Sequence, residues 1–157
     1  PGVYKCPSDS YVATAQRALG WDRRVLSVAG NAFLGGKPTI ENQDPARTVF
    51  AAKKLSELLK PGPAMTFVTL DEHPDSIDDT QFHTVGGHAR AGGIFRNIPA
   101  SYHYGGGCNF SFADGHSEIK KWKDPRTKIA ITYTKIGMVN VPGSVDYEWI
   151  NERLPYQ

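Results

Sequence analysis

An acidic stretch supplies the densest set of oxygen ligands in the sequence. It runs Asp71-Glu72-His73-Pro74-Asp75-Ser76-Ile77-Asp78-Asp79. Its spacing is not that of an EF-hand, which needs alternating oxygen ligands and a central glycine. Calcium nevertheless accepts about six to eight oxygens in irregular loops, so Asp75, Asp78 and Asp79 form a candidate calcium site. The alternative is a solvated turn bent at Pro74, which is the usual role of a charge run.

The histidines suggest a second kind of chemistry. A metal-dependent hydrolase could hold zinc or manganese with a set of five side chains: Asp71, His73, His103, Asp114 and His116. No two of the 5 histidines stand four residues apart with a glutamate between them, as a zinc-protease helix requires. A tight turn also explains Asp114, and a polar strand face explains His116. We therefore predict that the chain is not an enzyme and assign no catalytic residue.

The chain has 2 cysteines, Cys6 and Cys108. Their separation matches no zinc motif, because such motifs use closely spaced pairs. They are either two unrelated thiols or one long-range disulfide, which would place the chain outside the cytoplasm. A disulfide closing so long a loop would add roughly 4 kcal/mol in the chain-entropy model.

Composition limits the architecture that positions these groups. A chain of 157 residues with 39% hydrophobic residues fits a single domain over 1–157. A net charge of +2 argues against a dedicated nucleic-acid-binding protein. The 16 glycines and 11 prolines argue against a helical bundle. They favour an α+β fold, with a small antiparallel sheet, short flanking helices and long loops.

Hydrophobic periodicity places the elements along the chain. A helix is predicted from Tyr11 to a stop at Gly20, and a C-terminal helix after Ser144. The pattern also predicts a helix over 49–60, a central strand over 65–70, and further strands over 24–34 and 128–136.

The clearest local signal is a β-hairpin over 109–122. Asp114-Gly115 between alternating segments predicts a two-residue type I′ turn, in which glycine tolerates the positive φ. That register pairs Phe110 with Ile119 and places both on a buried face. Cys108 lies on the same buried face, where a disulfide to Cys6 could form, and His116 lies on the opposite, wet face.

Several of these segments, taken in order, resemble a known family. They are Cys-Pro-Ser-Asp from Cys6, Arg-Val-Leu-Ser from Arg24, the acidic stretch, His103, and Phe-Ala-Asp-Gly-His ending at His116. The chain resembles the prepilin-type proteins with a processing-associated His-to-Asp-Gly motif, which are pseudopilins related to type II secretion. His103, Asp114 and Gly115 would be the motif residues. The family motif usually has nine residues between His and Asp-Gly, whereas ten separate them here.

The resemblance implies a structural subunit of a type II secretion or type IV pilus-like pseudopilus, which acts by filament assembly. Its pseudopilin-like head would be periplasmic, or on the extracellular face of a bacterial cell. An upstream hydrophobic helix would anchor it in the inner membrane. The implied partners are further copies of the chain and other secretion-system subunits, with no nucleic acid. Related major pseudopilins carry Ca2+, which supports the Asp75, Asp78 and Asp79 hypothesis. The alternative function is a secreted metal-dependent hydrolase or a small ligand-binding domain.

Overall fold

The computed structural model describes residues 4–35, 49–84, 92–103 and 105–156. Two short helices and seven strands lie in this part of the chain. In chain order they are α1 (Thr14–Ala18), β1 (Val28–Asn31), β2 (Phe67–Asp71), β3 (Gln81–Phe82), β4 (Ile94–Phe95), β5 (Gly107–Phe112), β6 (Ser117–Lys121), β7 (Val139–Asn140) and α2 (Val145–Asn151). None of these helices is long and apolar enough to cross a membrane.

Five of the strands form one sheet in the order β3-β1-β2-β5-β6, and β4 pairs with β7 in a second, two-stranded sheet. The pairs β1–β2, β2–β5 and β5–β6 are antiparallel, but β1 and β3 are parallel. The predicted α+β class is therefore confirmed in its broad form, while the large sheet is mixed and not purely antiparallel. The predicted central strand over 65–70 is also confirmed, as β2.

The core lies on one face of the large sheet, and Phe110 is at its centre. The Phe110 ring centroid lies 5.6 Å from that of Phe67, 6.0 Å from that of Trp122 and 5.0 Å from that of Trp149. Trp149 belongs to α2, so the C-terminal helix packs on the hairpin strands. Ring pairs in these edge-to-face arrangements add to the stabilisation from burial alone.

Helix α2 begins where the sequence predicts. The Ser144 hydroxyl accepts a hydrogen bond from the Tyr147 amide at 3.3 Å, which caps one of the free amides of the first turn. The buried Asp146 carboxylate accepts from the amides of Lys123 and Asp124 at 2.8 and 2.7 Å. These bonds tie the helix to the chain that leaves β6.

The hairpin is confirmed, but its predicted register is wrong by one residue. Asn109, and not Phe110, pairs with Ile119. The amide of Phe112 donates to the carbonyl of His116, which leaves Ala113, Asp114 and Gly115 as a three-residue loop in which Gly115 has φ +96°. A slip of one residue exchanges the faces of a strand. Ile119 therefore lies on the open face and is 56% exposed, while His116 stacks on Phe112 at 4.3 Å.

Two further element predictions are wrong. Over 49–60 the chain forms isolated bridges and one 3-10 turn at Leu55–Glu57, and Leu55 and Leu59 are exposed. A helix there would need both leucines on a buried face. Over 128–136 the chain has no strand, because Thr132 bonds to the Asp75 side chain and Ile136 to the Asp75 carbonyl.

Candidate functional site

Three side chains that can bind a metal meet at the end of β2. Asp71 is the last residue of that strand. His103 lies shortly before β5 and forms an isolated bridge with Gly107, the first residue of β5. Cys6 comes from the N-terminal segment, which is fixed by a 2.7 Å hydrogen bond from the Cys6 amide to the Ser27 hydroxyl. The site therefore depends on contacts between segments far apart in the sequence.

The three ligand atoms lie within 4.8 Å of one another. His103 Nε2 is 2.7 Å from Asp71 Oδ2 and 3.6 Å from Cys6 Sγ. The Asn109 side-chain amide lies beside the same ring, 3.4 Å from Nδ1 and 3.3 Å from Nε2. Both the carboxylate and the thiol therefore approach the same ring nitrogen.

This geometry is unsuited to a cysteine nucleophile. In a Cys-His-Asp triad the acid bonds one imidazole nitrogen and holds the ring, while the other nitrogen takes the proton of the thiol. Here Asp71 occupies the nitrogen that would have to serve Cys6. The arrangement instead directs three donor atoms toward one region of space.

Burial dominates the electrostatics of the site. Loss of solvation raises the pKa of Asp71, although His103 and Asn109 oppose that shift. Burial raises the pKa of the Tyr102 hydroxyl, and the charge of Asp71 adds to the effect. Burial also raises the pKa of the Cys108 thiol well above its ordinary value. Cys108 is therefore a neutral thiol in the folded chain.

A groove of about 650 Å³ opens beside the site on the uncovered face of the large sheet. Cys6 and Asp71 lie in its wall, and Asn109 and Ile119 continue the wall along the hairpin. The cluster thus borders the groove through Cys6 and Asp71, and the Asp71 side chain is 5% exposed.

The predicted Cys6–Cys108 disulfide is not formed in this structure, where both cysteines are free. The Cys108 thiol is fully buried and donates to the backbone carbonyl of Asp71 at 3.1 Å. The two cysteines nevertheless border the same residue, Asp71, from different sides.

The proposed hydrolase set is only partly assembled. Asp71 and His103 are in contact, but His73 uses both ring nitrogens elsewhere. Its Nδ1 accepts from the Asp75 amide at 3.1 Å, and its Nε2 lies 3.1 Å from the Ile129 carbonyl. Asp114 and His116 bond each other at 2.6 Å at the exposed hairpin turn. The family-motif residues Asp114 and Gly115 thus shape the turn, whereas His103 lies at the cluster.

The proposed calcium ligands are not brought together. Asp75 is buried and accepts from the Thr132 amide at 2.6 Å. Asp78 pairs with Lys135 at 2.9 Å, and Asp79 accepts from the Gln81 amide at 2.6 Å. Among the described residues, Cys6, Asp71 and His103 make up the one group of three such ligands. Sequence reasoning missed Cys6 as a partner of His103, since 97 positions separate them.

The remaining polar residues of the acidic stretch form a buried network. Glu72 Oε1 accepts from the Ser76 hydroxyl and the Asn97 amide, both at 2.9 Å. Desolvation raises the pKa of Glu72 to about 8. Arg24, which is buried, forms an ion pair with Asp9 and donates to the Pro74 carbonyl at 2.9 Å. These groups fix the loop after β2 in place.

No protein-family model, curated protein or solved structure matches the chain.

Proposed function

We propose that the chain is the head of a pseudopilin-like filament subunit that acts by assembly and not by catalysis. The proposal is supported by the contacts that the residues of the resembling segments form. The polar side chains of the segments that resemble the family bond to one another and to neighbouring loops of the domain, and so they specify a fold.

Four contacts illustrate these bonds. Asp9 of the Cys-Pro-Ser-Asp segment pairs with Arg24, which in turn donates to the Pro74 carbonyl. The Cys6 amide donates to the Ser27 hydroxyl at 2.7 Å. The motif histidine, His103, contacts Asp71 at the start of the acidic stretch. A hydrolase would instead leave several polar groups directed into a deep cleft.

The edges of the large sheet support assembly through surfaces other than strand pairing. At one edge, β3 has only two residues; at the other, β6 carries Lys120 and Lys121. Short and lysine-bearing edges discourage uncontrolled pairing between copies. In the proposed filament, an upstream hydrophobic helix anchors the subunit in the inner membrane and packs along the filament axis. The periplasmic heads then contact one another and other secretion-system subunits.

A basic surface beside the hairpin is the proposed lateral contact. The side chains of Lys121 and Lys128 lie over the Gly105-Gly106 turn, where an added Cβ would meet them at 3.6 and 3.4 Å. Asp78 and Asp79 are exposed at the loop after β2. Contact between the basic surface of one copy and these carboxylates of the next would weaken as salt screens the charges.

Immunogold electron microscopy of cells that produce the protein tests this proposal. We expect antibody against the chain to label filaments or sheared filament fragments from the cell envelope. Label distributed as single soluble molecules, with none on filaments, would contradict a filament subunit. In cells that produce Lys128→Glu, the labelled filaments should be shorter. Arg23→Glu, which changes an exposed charge elsewhere, should leave filament length unchanged.

A further inference from the structure

We propose that Cys6, Asp71 and His103 form a binding site for a divalent transition metal, with zinc as the best match. The ligand atoms would be Cys6 Sγ, Asp71 Oδ2 and His103 Nε2, which lie within 4.8 Å of one another. This site shares Asp71 and His103 with the hydrolase set considered above, but it adds Cys6 and leaves out His73, Asp114 and His116, and it does not depend on filament assembly.

The choice of metal follows from the donors. Thiolate, imidazole and carboxylate together suit zinc, whereas calcium and magnesium prefer oxygen ligands alone. Mixed sites with three protein ligands leave a fourth tetrahedral position for water or a solute. In this chain the groove of about 650 Å³ borders both Cys6 and Asp71. The groove is therefore the side from which an ion would reach the cluster.

Two of the three separations between ligand atoms are close to those of a tetrahedral zinc site, and the third, between Cys6 Sγ and the Asp71 carboxylate, is within 4.8 Å. Ligands about 2.0–2.1 Å (N or O) and about 2.3 Å (S) from a tetrahedral zinc ion stand about 3.6 Å apart for sulfur and nitrogen, and about 3.3 Å apart for nitrogen and oxygen. Cys6 Sγ and His103 Nε2 are already 3.6 Å apart. His103 Nε2 and Asp71 Oδ2 are 2.7 Å apart and would separate by about 0.6 Å. Side-chain rotation is sufficient for such a movement.

The surroundings provide a second, independent observation. The Tyr102 hydroxyl is buried and has no hydrogen-bond partner among the described residues. The Tyr102 ring lies beside that of His103, with the two ring centroids 4.8 Å apart, so Tyr102 borders the cluster. A buried hydroxyl without a partner is unfavourable. A water on the metal would supply the missing partner.

The metal would have a structural consequence. Cys6 belongs to the N-terminal segment, Asp71 to β2 and His103 to the chain entering β5. Binding of one ion would cross-link these three segments, and it would stabilise the fold because the unfolded chain does not preform the site. Zinc and a Cys6–Cys108 disulfide exclude each other, since both need the Cys6 sulfur.

The test uses the whole 157-residue chain, fully reduced and freed of metal with a chelator. Titration with Zn2+ against a chromogenic competitor should give one equivalent bound per chain. The melting temperature should rise by about 5–10 °C at a hundredfold excess over Kd. Ca2+ and Mg2+ should produce no rise. Co2+ should give a thiolate-to-metal charge-transfer band in the near ultraviolet, which reports a sulfur ligand without any substitution.

The variants identify the ligands. Cys6→Ser and His103→Gln should each weaken Zn2+ binding at least about a hundredfold, and Cys6→Ser should also abolish the Co2+ charge-transfer band. Cys108→Ser and His116→Gln are the matched controls and should keep both signals. Absence of saturable binding by the unaltered chain would overturn the proposal. So would a charge-transfer band that survives in Cys6→Ser.

Discussion

His103 Nε2 lies 2.7 Å from Asp71 Oδ2, and the two side chains are only 8% and 5% exposed. This buried contact joins the motif histidine to the first residue of the acidic stretch. A second histidine–aspartate contact, His116 with Asp114 at 2.6 Å, lies at the hairpin turn, where the side chains are 44% and 39% exposed. Because both pairs join a histidine to an aspartate, comparing them tests how burial changes the contribution of such a contact to stability.

We expect His103→Ala to lower the free energy of unfolding by about 3 kcal/mol, because it removes the histidine from the buried Asp71 carboxyl and leaves Asn109 as the remaining hydrogen-bond donor. Urea unfolding in the presence of EDTA measures this loss without any contribution from metal. His116→Ala should cost no more than about 1 kcal/mol, since solvent screens the exposed pair and only the stacking of His116 on Phe112 is lost. Equal losses in the two variants would contradict the role assigned to the buried contact.

The hairpin register can be tested with two apolar residues. Phe110→Ala removes the central ring of the core and should cost about 3–5 kcal/mol of unfolding free energy. Ile119→Ala, at a side chain 56% exposed, should change it by less than about 0.5 kcal/mol. A large loss for Ile119→Ala would instead favour the two-residue turn that the sequence predicts.

Three glycines separate steric from conformational effects. An alanine Cβ at Gly107 would lie 2.7 Å from the Lys120 carbonyl oxygen, so Gly107→Ala should disrupt the pairing of β5 with β6. At Gly115 no atom is near, but φ is +96°, so Gly115→Ala should lose about 1–2 kcal/mol. Gly137→Ala, with open space and no positive φ, should be neutral or slightly stabilising. Chemical denaturation should therefore show the largest loss of unfolding free energy for Gly107→Ala, a smaller loss for Gly115→Ala and none for Gly137→Ala. An unchanged unfolding free energy in Gly107→Ala would contradict this expectation.

Asp124 provides a pH-dependent contribution to stability. Hydrogen bonds from the Arg126 guanidinium, at 2.6 and 3.0 Å, lower the pKa of Asp124 from 3.8 to about 2. Because the folded-state pKa is the lower one, the stabilisation is present above about pH 4 and is lost as the pH falls toward 2. Arg126 is 44% exposed, so screening reduces the contribution to about 1 kcal/mol.

Thermal melting of Asp124→Asn across pH 2 to 6 checks this expectation. The difference in melting temperature between Asp124→Asn and the unaltered chain should disappear at the acidic end of that range. Asp22→Asn, at an exposed aspartate, should give a curve parallel to that of the unaltered chain. A gap for Asp124→Asn that stays constant with pH would refute the ionic explanation.

The parts of the fold that could be predicted are those set by local chemistry. Asp114-Gly115 marks the hairpin, and Ser144 marks the start of α2. The register could not be obtained in the same way, since Asp-Gly also suits a three-residue loop with glycine last. The leucines of 49–60 follow a helical period, yet only Leu58 of the three in that segment is buried. Tertiary bridges to Leu34 and Tyr156 determine the path of the chain there.

The candidate site was only partly accessible to sequence reasoning. Asp71 and His103 were both considered for metal chemistry, and they do meet. For Cys6 the sequence suggests either an isolated thiol or a disulfide with Cys108, because nothing local relates Cys6 to a histidine 97 positions away. His73 was grouped with His103, but its ring nitrogens are engaged by the Asp75 amide and the Ile129 carbonyl. Spacing indicates which groups could act, whereas the topology determines which of them meet.

The assembly proposal is tested most directly by cross-linking intact cells and immunoblotting the envelope fraction. The account predicts a ladder at multiples of the subunit mass, which becomes weaker at high salt and by at least about twofold in Lys128→Glu, but not in Arg23→Glu. A single monomer band at every cross-linker dose, in cells that make the protein at its normal level, would contradict it.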